Sequence, residues 1–311
     1  MIMEKTVYRP EGSLFHTPEN DAAIATLTDL MQAQTDGRIL EARAVRCDIK
    51  HNLIVQLPCG EGIIPHEEGA VGIAEGTTRD IVLITRVNKP VCFVVIGFEQ
   101  TADGCRPVLS RRLAQERCRA EYIDHLKRGD VIPARITRLE TFGAFCDIGC
   151  GLPALIPIAD ISVSRIAHPR DRFSPGMDIL GVVSSLDNGR VCLSHRELLG
   201  TWEENAALFN AGETIAGIIR SVEPYGVFVE LTPNLAGLAE PREGVRVGQQ
   251  AAVYIKSVQP EKLKIKLALI DAQDGAVVPR PPQYFITQGP LDYWRYSPAD
   301  CSRVIESSFV G

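Results

Sequence analysis

The sequence predicts a mainly β fold: three tandem OB-type five-stranded barrels, the first degenerate, joined by helical connectors and followed by a short α-containing C-terminal tail. Three observations carry this. Phe142-Gly143-Ala144-Phe145 recurs as Tyr225-Gly226-Val227-Phe228, 83 positions later. The same offset relates Gly129 to Gly212, Ile136 to Ile219, Gly151 to Asn234, Leu152 to Leu235 and Leu155 to Leu238. One register shared by glycines, aromatics and aliphatics marks a small domain used more than once. Second, each block carries about five alternating apolar segments in roughly 70 residues; an open sheet of that size would expose two unpaired edges, which a closed barrel removes. Third, Leu109-Ser110-Arg111-Arg112 is echoed by Leu193-Ser194-His195-Arg196 at an offset of 84, so the plan extends back to a first block.

The elements follow in order. Thr17 is the expected N-cap of a helix with Pro18 at its first position; Ile24, Leu27, Leu30 and Met31 fall on one face, and Gly37 ends it. The first block, 37–112, reads as strands near 38–47, 53–57, 62–65, 81–87, 91–97 and 108–112. Residues 113–127 form a helical connector. The second barrel, 128–197, has strands at 131–139, 142–148 and 152–158, a polar stretch from Asp160 to Pro175, then strands at 177–186 and 190–194 around Asp187-Asn188-Gly189, a hairpin signal. A second connector spans 198–211. The third barrel, 212–274, repeats the plan without the polar insertion. In the tail, 275–311, Pro279 to Pro282 is a stiff linker, the aromatics Tyr284, Phe285, Tyr293, Trp294 and Tyr296 suggest a clasp on the third barrel, and Ser297-Pro298-Ala299-Asp300 caps a short final helix.

Composition narrows the function. The chain has 45% hydrophobic and 23% charged residues and no apolar run long enough to span a membrane. Its opening, MIMEKTVYRPEGS, lacks the apolar core of a signal peptide, and its nine scattered cysteines suit reduced thiols in a cytoplasmic protein. The net charge of −6 excludes a generic basic nucleic-acid binder, so any phosphate contact must be local. Residues 128–200 balance eight Arg against eight acids, whereas 201–274 set seven Lys and Arg against ten. The middle block is therefore the expected positive face.

The run Gly129-Asp130-Val131…Phe142-Gly143-Ala144-Phe145-Cys146-Asp147…Leu155-Ile156-Pro157-Ile158…Asp187-Asn188-Gly189-Arg190-Val191-Cys192-Leu193-Ser194 resembles the S1 RNA-binding domain, as found in ribosomal protein S1-like proteins of Clostridium-type bacteria. The third block resembles it less closely, and the first looks like a degenerate copy. The resemblance implies single-stranded RNA binding by base stacking and backbone charge in translation, with messenger RNA and the small ribosomal subunit as partners. Carried over residue by residue, it assigns Phe142, Phe145, Asp187 and Arg190 to the second barrel, and Tyr225, Phe228 and Lys264 to the third. The position after the third strand, usually His, is Pro157 in one barrel and Glu240 in the other. The first block has Cys47 to Asn52 in place of the aromatics.

Residues three apart in a regular strand face opposite sides; a bend at Gly143 would bring Phe142 and Phe145 to one surface. Arg165, His168, Arg170 and Arg172 form a basic stretch suited to phosphate. No cofactor, metal or catalytic group is expected. Cys47, His51, Cys59 and His66 lack the C-x2-C pair usual in zinc sites, and Ser194 and His195 are strand neighbours that cannot pair locally. The alternative, favoured by the acidic balance and Glu240, is a protein-docking module on the ribosome or another RNA machine.

Overall fold

The computed structural model describes residues 8–102, 104–187, 189–275 and 281–310. Residues 1–7 of the chain's opening, Asn188 of the hairpin signal, and Pro279 and Arg280 of the linker lie outside the described residues. The chain divides into two units, residues 1–126 with 147–153, and residues 127–146 with 154–311.

The first unit opens with α1 (Pro18–Ala23) and α2 (Leu27–Thr35), where the sequence suggested one helix. The break comes from Thr26, whose hydroxyl accepts the Asp29 N–H while the Asp29 carboxylate accepts the Thr26 N–H. This capping box starts a new helix. Gly37, at φ +62°, ends it in the left-handed region that glycine tolerates.

A closed barrel follows, of β1 (Leu40–Cys47), β2 (Leu53–Leu57), β3 (Gly60–Ile64), β4 (Lys89–Thr101) and β5 (Gly104–Ser110), in the order β1-β2-β3-β5-β4. Residues 81–87, expected as a strand, instead hold the single-turn helix α3 (Ile81–Ile84). The long β4 pairs with both β1 and β5, which leaves that apolar run no strand to join; only Leu83 of the four is fully buried. The helix α4 (Arg111–Glu121) leaves the barrel, capped by the Ser110 hydroxyl.

Among the described residues Arg111 is the largest fully buried side chain. It grips Glu11 through Nε at 2.6 Å and Nη2 at 2.9 Å, with Arg86 at 3.1 Å. Burial pushes the Glu11 carboxyl up, but the Arg111 charge outweighs it and holds the group below the usual carboxylate range. The Asp147 carboxylate accepts the backbone N–H groups of Glu11, Gly149 and Gly151, anchoring the segment before α1.

The second unit carries two more barrels on the same plan. One has β6 (Val131–Glu140), β7 (Gly143–Asp147), β8 (Pro153–Pro157), β9 (Asp178–Asp187) and β10 (Arg190–Ser194), closed as β6-β7-β8-β10-β9. After the short α5 (Trp202–Ala206), β11 (Thr214–Glu223), β12 (Gly226–Thr232), β13 (Leu235–Ala239), β14 (Gln250–Gln259) and β15 (Lys264–Gln273) close as β11-β12-β13-β15-β14.

No helix closes the described tail. β16 (Tyr293–Arg295) and β17 (Glu306–Ser308) form an antiparallel ribbon. The Ser297 hydroxyl, expected to cap a helix, accepts the Ile305 N–H across the ribbon. Arg295 donates to the carbonyls of Pro298 and Ala299, so the local signals serve a turn. Trp294 and Tyr296 are buried in the third barrel's core.

Tyr284 reaches the middle barrel, where Leu180 N–H donates to its oxygen at 2.9 Å. His195, 1% exposed, lies with Nδ1 at 2.9 Å from Ile161 O and Nε2 at 3.2 Å from the Tyr284 oxygen. Only one tautomer suits both: Nδ1–H donates to the carbonyl and Nε2 accepts the tyrosine O–H. His195 is thus spent on structure, and Ser194 bonds Glu197.

Burial pushes the His195 imidazole down to about 4, so between about pH 6.5 and 4 the unfolded chain binds the extra proton. Stability of this unit therefore falls as pH drops through that window, by up to about 3 kcal/mol. Urea unfolding followed by the fluorescence of Trp202 and Trp294, the two tryptophans of the chain and both buried in this unit, measures it; a midpoint that is flat from pH 6.5 to 4 contradicts the assignment. Tyr284→Phe leaves Leu180 N–H and His195 Nε2 unpaired, and the same assay is expected to show a loss of about 1–3 kcal/mol.

Candidate nucleic-acid interface

Phe142 sits in the turn before β7, so strand alternation does not apply to it. Gly143 makes the turn possible: a Cβ there would lie 2.4 Å from the Ile156 carbonyl oxygen of the facing strand. Phe142 is tied to that strand by the Ile158 N–H, which donates to its carbonyl at 2.9 Å. Ala144 and Cys146 point into the core with no exposure, so Phe145 between them faces outward. The two rings meet edge to face, with centroids 6.0 Å apart and an interplanar angle of 90°. Phe142 remains 54% exposed.

The third barrel builds the same pair. Tyr225, 66% exposed, meets Phe228 at 6.1 Å and 86°. A Cβ on Gly226 would stand 2.6 Å from the Ala239 carbonyl oxygen. The two copies differ in charge. In the middle barrel the Arg138 guanidinium carbon lies 4.8 Å from the Phe145 ring centroid, a cation–π contact, while its Nε meets Glu140 at 3.1 Å. The counterpart of Arg138 at the repeat offset is Ser221, which stands opposite Phe228 and bonds Glu223.

The remaining sequence-derived residues fall in different places. Asp187 and Arg190 are register partners at the β9–β10 turn, both exposed. Arg190 lies on β10, two strands from β7 in the barrel order, hence about 10 Å across the surface. Lys264 is exposed on β15 opposite Gln259. Lys266, which the sequence reading missed, is also exposed, and its register runs through Leu238 to Phe228. The alternation Lys264-Ile265-Lys266-Leu267 could have revealed it. Arg138 was missed too; only its place at the end of the first strand hinted at it.

The basic stretch divides. Arg165 and Arg170 are exposed. His168 is committed to the loop: its Nδ1 accepts the Arg170 N–H at 3.1 Å and its own N–H donates to Asp171. Arg172 is not a phosphate ligand. It is buried, donating to both Glu230 oxygens, and Arg220 joins the same carboxylate at 2.8 Å. Glu240 is exposed but neutralised by Lys256, whose Nζ lies 2.7 Å away and holds its carboxyl below the usual range, so it opposes phosphate less than its charge alone suggests.

Residues 125–196 match the S1 RNA binding domain family. Small ribosomal subunit protein bS1 of Leuconostoc lactis is 28% identical over 252 residues, 75% of this chain and 56% of that protein. The bS1 homolog of Bacillus cereus is 29% identical over 302 residues, 91% of this chain and 73% of its own; bS1 of Staphylococcus aureus is 29% identical over 189 residues, 55% of this chain and 48% of its own. The chain thus spans about half the length of the Leuconostoc and Staphylococcus relatives. Among solved structures, a multidomain protein with nucleic acid binding domains from Streptococcus pneumoniae aligns over 76% of this chain and 74% of its own at 13% identity, with a TM-score of 0.26. The residues that match the S1 RNA binding domain, 125–196, include the Phe142–Phe145 pair.

Proposed function

We propose that this chain is a non-enzymatic, cytoplasmic binder of single-stranded RNA that acts in translation, holding messenger RNA beside the small ribosomal subunit. The observation that carries the reading is the edge-to-face aromatic pair, built twice with the same geometry on the outer face of two barrels. An exposed ring offers a π-face to any base, and each stacked base contributes about 1–3 kcal/mol with little sequence preference. Cationic groups share the ring-bearing barrels: Arg138 lies over Phe145, and exposed Arg190 on the middle barrel and Lys264 and Lys266 on the third stand two strands from the ring strand. They suit a strand whose phosphates pass beside stacked bases. The middle barrel is the stronger reader, because of the two aromatic pairs it is the Phe142–Phe145 pair that has a guanidinium over a ring.

Polarisation titrations with a labelled single-stranded RNA test this. Phe142→Ala with Phe145→Ala is expected to weaken binding by about 2–6 kcal/mol, and Tyr225→Ala with Phe228→Ala by less. Unchanged affinity in the first double variant contradicts the assigned face. Arg138→Gln is expected to lower the slope of log K against log salt by about 0.7, the value of one phosphate on a single strand. Tight binding to ribosomes with no binding to free RNA at low salt would decide instead for a protein-docking module.

A further inference from the structure

The first barrel follows the strand order of the other two but carries no aromatic in the turn between its first two strands. Something else stands there. His51 lies in that turn, His66 just beyond the end of β3, and Asp80 before α3. Their donor atoms converge: His51 Nδ1 is 3.2 Å from one Asp80 oxygen and His66 Nε2 is 2.7 Å from the other. All three ligand atoms lie within 4.8 Å of one another.

We propose that His51, His66 and Asp80 form a binding site for a divalent transition-metal ion of the zinc type, on the first barrel at the place where the other barrels present their aromatic pairs. Two imidazole nitrogens and one carboxylate suit zinc, whereas magnesium and calcium take oxygen ligands. Zinc bonds of 2.0–2.2 Å in a tetrahedral shell set ligand atoms about 3.3 Å apart; here the imidazole nitrogens stand 3.2 and 2.7 Å from the Asp80 oxygens, and the whole set spans at most 4.8 Å. Water would fill the fourth position, since the three side chains are 36–45% exposed.

The surrounding structure favours this arrangement over a chance encounter. The Asp48 carboxylate accepts the N–H groups of Lys50 and Asn52 and the Asn52 side-chain amide, fixing the turn that holds His51. The Asn52 side-chain Oδ1 in turn accepts the His66 N–H at 2.9 Å, so one asparagine ties the two histidine segments together. His51 itself adopts φ +61°, an uncommon conformation for a residue with a Cβ. Asp80 precedes a helix yet makes no side-chain cap bond to it; its carboxylate turns to the imidazoles instead.

The test is a titration of the full-length, thiol-reduced chain with zinc chloride, followed by the ring nitrogen resonances of its six histidines. The expected result is that His51 and His66 shift together and saturate at one equivalent, while His16, His125, His168 and His195 do not move. Asp80→Asn and, separately, His66→Gln are expected to weaken the binding at least tenfold, with the amide spectrum of each metal-free variant showing the first barrel folded. His51→Gln serves if either variant unfolds. Absence of shifts at His51 and His66, saturation at other histidines first, or undiminished affinity in the folded variants overturns the site.

Discussion

Two missing side chains underlie the whole binding face. At Gly143 and Gly226 the chain passes so close to the neighbouring strand that a Cβ would overlap a carbonyl oxygen, that of Ile156 in one barrel and of Ala239 in the other. That approach lets the residue before the glycine leave the strand while the residue two after it stays on the outer surface. A turn residue and a strand residue thereby share one face, and their rings meet edge to face. The opposing peptide backbone cannot yield as a flexible side chain would, so the position leaves room for glycine alone. Everything inferred about base stacking depends on this contact.

The two faces belong to one unit, and buried polar groups fix the segments around them. Asn234 has no exposure. Its Oδ1 accepts the Val163 N–H, its amide donates to the carbonyls of Arg196 and Gly200, and its own carbonyl accepts the Tyr296 hydroxyl. One residue thus joins the third barrel's β12–β13 turn to the insertion and the connector through its side chain and to the tail through its backbone carbonyl. The Arg172–Glu230–Arg220 cluster makes a second such tie. Buried charges of this kind are stable only when paired and hydrogen-bonded, which is why Arg172 is withdrawn from the surface that its neighbours Arg165 and Arg170 still occupy.

Much of the architecture was legible because it repeats. The shared register of Phe142 and Tyr225, Gly129 and Gly212, and Leu155 and Leu238 announced one domain plan before any strand was placed. The errors were local. The apolar run at Ile81 to Val87 has no periodicity long enough to separate a buried turn of helix from a strand, and the length of β4 settled it. The Thr26–Asp29 box is a short-range signal that the periodic face of Ile24 and Leu30 concealed. Ser297-Pro298 has the composition of a helix start, but the pairing of β16 with β17 took its hydroxyl for the ribbon. Within the site, the aromatics were readable because a strand glycine implies a bend. Arg138 over Phe145, Lys266 in line with Phe228, and the meeting of His51, His66 and Asp80 depend on strand register and loop closure, which one-dimensional spacing does not encode.

RNA binding by stacking requires bases to lie against the rings of Phe142, Phe145, Tyr225 and Phe228. Ultraviolet crosslinking of the full chain to an unmodified oligouridylate, with the crosslinked peptides identified by mass spectrometry, tests this most directly. The prediction is that the dominant adducts map to Phe142 or Phe145, with a weaker set at Tyr225 or Phe228. Adducts confined to the first barrel or the tail, with none at these four rings, would contradict it.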